Sequence, residues 1–296
     1  MLRTVLAFSL TLSLTGPATL HAATPATHAN LSAVDIVSKN VAARGGLQAW
    51  RAVQSMTMEG KLGAGGNQRA ALPAPLPGKK ANPLPTDVRP PEEVQLPFVL
   101  EMQRPLKTRL ELQFKGQTAV QVFDGTTGWK LRPYLNRRDI EPYTSEEMKK
   151  ASLQAELDGL LVDYIAKGTR VDLESKENVE DRDTYKLKLT LKNGQTTHVW
   201  VDAQTFLEAK IEGQPRRLDG IDHPVEVYYR NYRSVSGLQI PFVLETRVLP
   251  AAAGANGPKA AAIPAETITV EKVVINPRLD ATLFTKPQLQ TAQAAR

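Results

Sequence analysis

The chain has 296 residues, 42% of them hydrophobic, a formal charge of +6 and no cysteine. The missing cysteine excludes disulfides, thiol catalysis and a cysteine-borne lipid anchor. The basic excess is mild, and its pairs (Lys79-Lys80, Arg137-Arg138, Lys149-Lys150, Arg216-Arg217) are scattered rather than gathered on one element, which argues against nucleic-acid binding.

These pairs read as solvated surface, with a weak attraction to anionic lipid head groups as the more specific use. At the N-terminus, Arg3 precedes an apolar stretch over residues 5–14, a Gly16-Pro17 break and the small residues Ala22-Ala23. That order predicts a secretory signal peptide over residues 1–23, cleaved near 22–23, and a mature protein in the periplasm. The apolar stretch is shorter than the roughly 20 residues a membrane-spanning helix needs. The remainder, 24–296, reads as a single domain.

A helix is expected over 33–44. Ser32 can cap it, and Val34, Val37 and Val41 recur at helical spacing. Gly45-Gly46 should end it, and Trp50 should point into the core on one further turn. Residues 55–62 read as the first strand. Residues 63–93, rich in Ala, Pro and Gly, read as a flexible loop inserted between two strands.

Alternation then becomes regular. Leu96, Phe98, Leu100 and Met102 share one face, as do Leu110, Leu112 and Phe114. Val120 and Val122 follow, then Trp129 and Leu131 beyond the Asp124-Gly125 turn. A central helical segment is expected over 144–168, with Glu147 placed for a capping box and Asp158-Gly159 able to divide it. Strand patterns resume at Val171, at Tyr185 to Leu191 and, past the Asn193-Gly194 hairpin signal, at Val199. Further strands carry Phe206 to Ile211, Val225 to Tyr229 and Ile240 to Leu244. A second Ala/Gly/Pro loop at 251–264 precedes the last strand at 268–275.

Together these patterns predict a mainly β protein. About eleven antiparallel strands, pairing in sequence order, would form a single curled sheet. An N-terminal helix and the central helical segment would cover its apolar face, giving a half-open barrel.

No catalytic constellation is legible. There is no serine nucleophile elbow and no phosphate-binding glycine loop. His198 and His223 are not at metal-ligand spacing, and Asp158 and Asp163 do not share a helical face. The chain therefore reads as non-enzymatic, without cofactor or metal. A hydrolase built on unrecognised paired carboxylates is the less favoured alternative.

Apolar surface remains. Phe98, Leu100, Leu110, Leu112, Val122, Leu187, Leu189, Phe242 and Leu244 form the inward set. As a filled core they would make an envelope interaction or structural module. As the wall of a cavity between sheet and helices they would hold acyl chains, since burial gives roughly 0.8 kcal/mol per methylene.

Five segments carry a family resemblance. They are Gly45-Gly46-Leu47 with Trp50; Phe123-Asp124-Gly125-Thr126-Thr127-Gly128-Trp129; Val201-Asp202-Ala203-Gln204-Thr205; Tyr232 to Leu238 with Pro241; and Asn276-Pro277, Leu279-Asp280, Leu283-Phe284 with Pro287. In this order they resemble the outer membrane lipoprotein-sorting proteins of the LolA-like superfamily. The resemblance implies a curved antiparallel sheet with a helical lid, and periplasmic carriage of a lipid or a lipoprotein's acyl chains. It implies as partners those lipids and the inner- or outer-membrane transport proteins that exchange them, with the chain itself a monomer. The 63–93 insertion departs from the compact family pattern.

Overall fold

A computed structural model of the chain describes residues 31–64, 94–133, 137–218, 220–250 and 263–288. The expected signal peptide, residues 65–93 of the insertion and residues 251–262 of the second loop lie outside the described residues.

Helix α1 (Ala33–Ala43) starts at a capping box. The Ser32 hydroxyl accepts from the Asp35 N–H, and the Asp35 carboxylate accepts from the Ser32 N–H. Its buried stripe differs from the expected one: Val34 is 62% exposed, while Ile36, Val37 and Asn40 are buried. Two overlapping stripes fit the helical spacing, and the one holding both Ile36 and Val37 removes more apolar area from water. Gly45 and Gly46 end the helix at φ +112° and +93°. A Cβ on Gly45 would stand 2.5 Å from the Gly237 carbonyl oxygen, so the close approach requires glycine. Helix α2 (Leu47–Ala52) follows and buries Trp50.

The strands are β1 (Ser55–Ala64), β2 (Val94–Gln103), β3 (Lys107–Phe114), β4 (Gln117–Phe123), β5 (Gly128–Arg132) and β6 (Arg137–Pro142). After α3 (Ser145–Gln154) come β7 (Arg170–Val179), β8 (Arg182–Thr190), β9 (Thr196–Asp202), β10 (Glu208–Leu218), β11 (Ile221–Val235), β12 (Leu238–Val248) and β13 (Glu266–Ile275). The 3-10 helix Ala281–Phe284 closes the described chain.

Among the described residues thirteen strands thus replace the expected eleven or so, in one antiparallel sheet. The strand β6 has no sequence signal, because Arg-Arg-Asp-Ile-Glu-Pro does not alternate. It lies at an edge, where charge and proline prevent further pairing rather than fill a core. Pairing follows sequence order at every neighbour but one. That exception joins β1 to β13 and leaves β6 and β7 as the two edges, so the curled sheet does not close.

The central helical segment is also shorter than expected. α3 ends at Gln154 and buries no residue fully, and residues 155–168 run as turns through Gly159, Asp163 and Gly168 at positive φ. Those turns supply Leu157, Leu161 and Val162 to the cores. The cover over the sheet is therefore α1, α2 and this turn segment.

Among the described residues no helix is long and apolar enough to cross a membrane.

Candidate functional site

Register assigns the two faces of the sheet. Met56, Met58 and Leu62 of β1 stand opposite Met102, Leu100 and Leu96 of β2. Phe98 and Leu100 stand opposite Leu112 and Leu110 of β3. On the other side of β1, Leu62 faces Ile268, and Ile268 faces Leu244. These side chains share the inner face, which also carries α1 and α2.

Burial on this face falls with distance from the cover. Trp50 and Val53 of the α2 region pack on Met56, Met102 and Leu238, all buried. Farther along the same strands, Met58, Leu62, Leu100, Leu110, Leu112, Leu244 and Ile268 belong to the same cluster but stay only partly buried. Phe98 and Val270 are exceptions, both buried beside Gly60: a Cβ on that glycine would stand 3.0 Å from the Phe98 ring and 2.9 Å from the Val270 Cα. The result is an apolar trough that begins where the helices stop.

The nine expected residues therefore divide three ways. Phe98, Leu100, Leu110, Leu112, Phe242 and Leu244 lie together around the trough. Leu187 and Leu189 are fully buried in a second cluster, filled by Ile36 and Val37 of α1, Leu161, Tyr185 and Val201. Val122 stands opposite Arg109, and Leu110 opposite Gln121, so Val122 points to the outer face. There it is sealed with Val120 under Phe284 of the closing 3-10 helix. Alternation within β4 could not show this, because both of its faces carry apolar residues: Ala119 and Phe123 are buried on the other one.

Polar groups sit between the covered clusters. Arg44, just past α1, donates from one Nη to Glu208 at 3.2 Å and to the Asp158 carbonyl at 2.9 Å. Its guanidinium lies 4.4 Å from the Trp50 ring centre, and the Trp50 indole N–H donates to the Arg44 carbonyl. Tyr232 donates its hydroxyl to the Glu208 carbonyl, and burial beside the Glu208 carboxylate pushes its pKa well above the usual tyrosine value. Among the described residues, the Arg44 Nε and the Asn40 Oδ1 are buried without a partner.

A charged cleft of about 420 Å³ opens between α2, the β2–β3 turn and the turn segment. Asp158 is buried there, bonded by Arg104 at 2.7 Å and by Lys167. Arg51 clasps Asp163 with two nitrogens at 2.7 and 2.8 Å, which holds that carboxylate below its usual range. Arg104 also donates to the Trp50 and Val53 carbonyls, tying the end of α2 to the sheet. These ion pairs fasten the cover. His198 bonds Glu212 at 2.6 Å and His223 bonds the Leu249 carbonyl, and no group of residues among those described could hold a metal.

No protein-family model matches the sequence, and no curated protein matches it. Solved structures do. A LolA superfamily protein from Nitrosomonas europaea matches with a TM-score of 0.50 at 14% identity, over 86% of this chain and 98% of that one. The chain has a LolA-like fold. A DUF1329 family protein from Desulfovibrio piger matches it with the same TM-score at 12% identity, over 87% and 99%. At these identities the likeness carries the fold alone.

Three of the segments that carry the LolA-like resemblance fix backbone turns or strand ends. Asp124 accepts from the Thr126 and Thr127 N–H groups, and Asp202 from those of Gln204 and Thr205. The Asn276 side-chain oxygen accepts from the Gln54 and Ser55 N–H groups, fixing the end of β13 beside the start of β1. Asp124 and Asp202 satisfy backbone donors at chain reversals, and Asn276 does so between strand ends far apart in sequence.

Proposed function

We propose that the inner-face trough binds lipid acyl chains, and that the protein carries a lipid or a lipoprotein's acyl chains through the periplasm without catalysis. One observation carries this reading: a contiguous apolar row, Leu62, Leu100, Leu110, Leu112, Leu244 and Ile268, left partly open on a face whose other half is sealed. A contiguous apolar strip that the fold leaves only half-buried is a surface on which an apolar ligand can complete the burial. The N-terminal leader pattern supports the location, and the LolA-like fold supports the cargo class. The carboxylates Asp158 and Asp163 are each neutralised by a cation, which favours a structural over a catalytic use.

Uptake of a fluorescent fatty acid by the purified mature protein tests the reading. The wild type is expected to bind. Leu112→Gln with Leu244→Gln should weaken binding by about tenfold, the loss of roughly two buried methylenes' worth of contact. A wild type that takes up no lipid, and comes from the periplasm empty by native mass spectrometry, overturns it.

A second reading has its own observation. Leu187, Leu189 and Val122 are fully buried in filled clusters, as expected of an envelope interaction module with a solid core. That reading predicts that neither substitution changes lipid uptake, because there is none to change.

A further inference from the structure

Among the described residues, the trough ends at a polar pair that the acyl-chain reading does not use. Glu266 begins β13 two residues before Ile268, so both point to the inner face. Thr246, paired with Glu266, lies two residues from Leu244, itself paired with Ile268. Glu266 therefore stands at the end of the half-buried row. One partner comes from three strands away: Arg216 of β10 makes two parallel hydrogen bonds to it, both 2.7 Å. A register slip between Gly213 and Arg216 sets Arg216 opposite His223, on the side of β11 that holds Val225. The guanidinium thus reaches over β11 and β12 to the mouth of the trough.

The pair is only partly shielded, with the Arg216 side chain 35% and the Glu266 side chain 28% exposed. A bidentate pair is stronger than an ordinary exposed one, so a ligand displaces Glu266 only if it offers oxygens in the same fork geometry. A guanidinium whose fork already holds a carboxylate is shaped for carboxylate or phosphate oxygens.

We infer that Arg216 is the head-group site of the trough and that the bound lipid carries an acidic head, with Glu266 occupying that site until the lipid displaces it. The inference rests on the acyl-chain reading and narrows it to lipids bearing a carboxylate or phosphate. Glu266 is then an internal competitor, which gives the two halves of one ion pair opposite effects on binding.

The test compares three probes of equal chain length: hexadecanoic acid, hexadecyl phosphate and hexadecanol. Wild-type protein should favour the acids over the alcohol. Arg216→Gln should lower acid affinity by about tenfold and leave the alcohol unchanged. Arg216→Lys should fall between, since a point charge replaces a fork. Glu266→Gln should raise acid affinity by several-fold, again with no change for the alcohol. The acid that responds more strongly to Arg216→Gln identifies the head. If Arg216→Gln and Glu266→Gln leave the acid-to-alcohol ratio at its wild-type value while all three probes bind, the head-group inference fails and the acyl-chain reading stands. If no probe binds the wild type, both fail. Thermal melting of each variant separates a folding defect from a binding one, because a purely structural pair predicts equal losses from either side.

Discussion

Arg44 and Glu208 are the residues on which the interior depends most sharply. Both are buried, and among the described residues Arg44 and the Tyr232 hydroxyl are the groups that compensate the Glu208 charge. Arg44→Ala leaves a carboxylate in the interior, which costs about 3–5 kcal/mol, whereas replacing both partners with apolar residues of similar volume removes the desolvation penalty too. Urea denaturation should therefore show a large loss for Arg44→Ala and near recovery for Arg44→Met with Glu208→Leu. A double variant as unstable as the single would show that the pair supplies attraction beyond neutralisation. At this scale the sequence is partly readable. The burial of Trp50, the Ser32 cap and the Gly45-Gly46 stop follow from local rules. Arg44 does not, because an arginine after a helix reads equally well as a solvated C-terminal charge. Its role depends on Glu208, 164 residues away.

Strand geometry decides where the trough can exist. The β1–β13 ladder slips by one residue between Glu59 and Gly60, and β1 is the seam that joins the two halves of the sheet. Such a bulge bends and twists the strand locally. A Cβ on Gly60 would stand 2.1 Å from the Thr269 carbonyl oxygen and 2.9 Å from the Val270 Cα, both backbone atoms that cannot rotate away. Gly60→Ala should therefore cost about 3 kcal/mol, the upper range for overpacking, and should open the seam rather than a single contact. Hydrogen exchange at the β1 and β13 amides measures this; protection equal to wild type would mean that the bulge absorbs the methyl. Most strands are legible because alternation is a period-two signal that one buried face imposes. β6 is not, since an edge strand with charged side chains satisfies the backbone without a buried face. The length of the cover is hidden for a related reason. Leu157, Leu161 and Val162 have near-helical spacing, yet the chain places them with turns at Gly159 and Asp163.

The half-buried strip straddles the β1–β13 seam, whereas the wing that runs from β10 to β7 is filled, and that filled wing is also laced on its outside. Glu180, in the β7–β8 turn, accepts from Arg230 of β11 at 2.7 and 2.8 Å and from Arg247 of β12 at 2.7 Å. The Arg230 hydrogen bonds, joined by those of Arg247, hold its carboxyl down to about 2. The sequence hides this link as it hides Arg216–Glu266: charges at sites far apart in the chain look solvated until the curl brings them together. The physical sign is fixed. A carboxyl with a depressed folded-state pKa stabilises fully above its ordinary value of about 4.5, and that contribution disappears as pH falls from about 4.5 toward about 2. Glu174 and Glu177 of β7 are also lowered, by Lys186 and by the Trp200 indole N–H respectively, so acid acts on the same edge hairpin in the same direction. Glu180→Gln should leave a protein that is less stable at neutral pH and changes less between pH about 5 and about 2.5. Urea midpoints for both proteins across that range test it. Parallel curves would place the acid sensitivity elsewhere; converging curves, with lipid uptake unaltered at neutral pH, would show that the outer lacing holds the filled wing without shaping the trough.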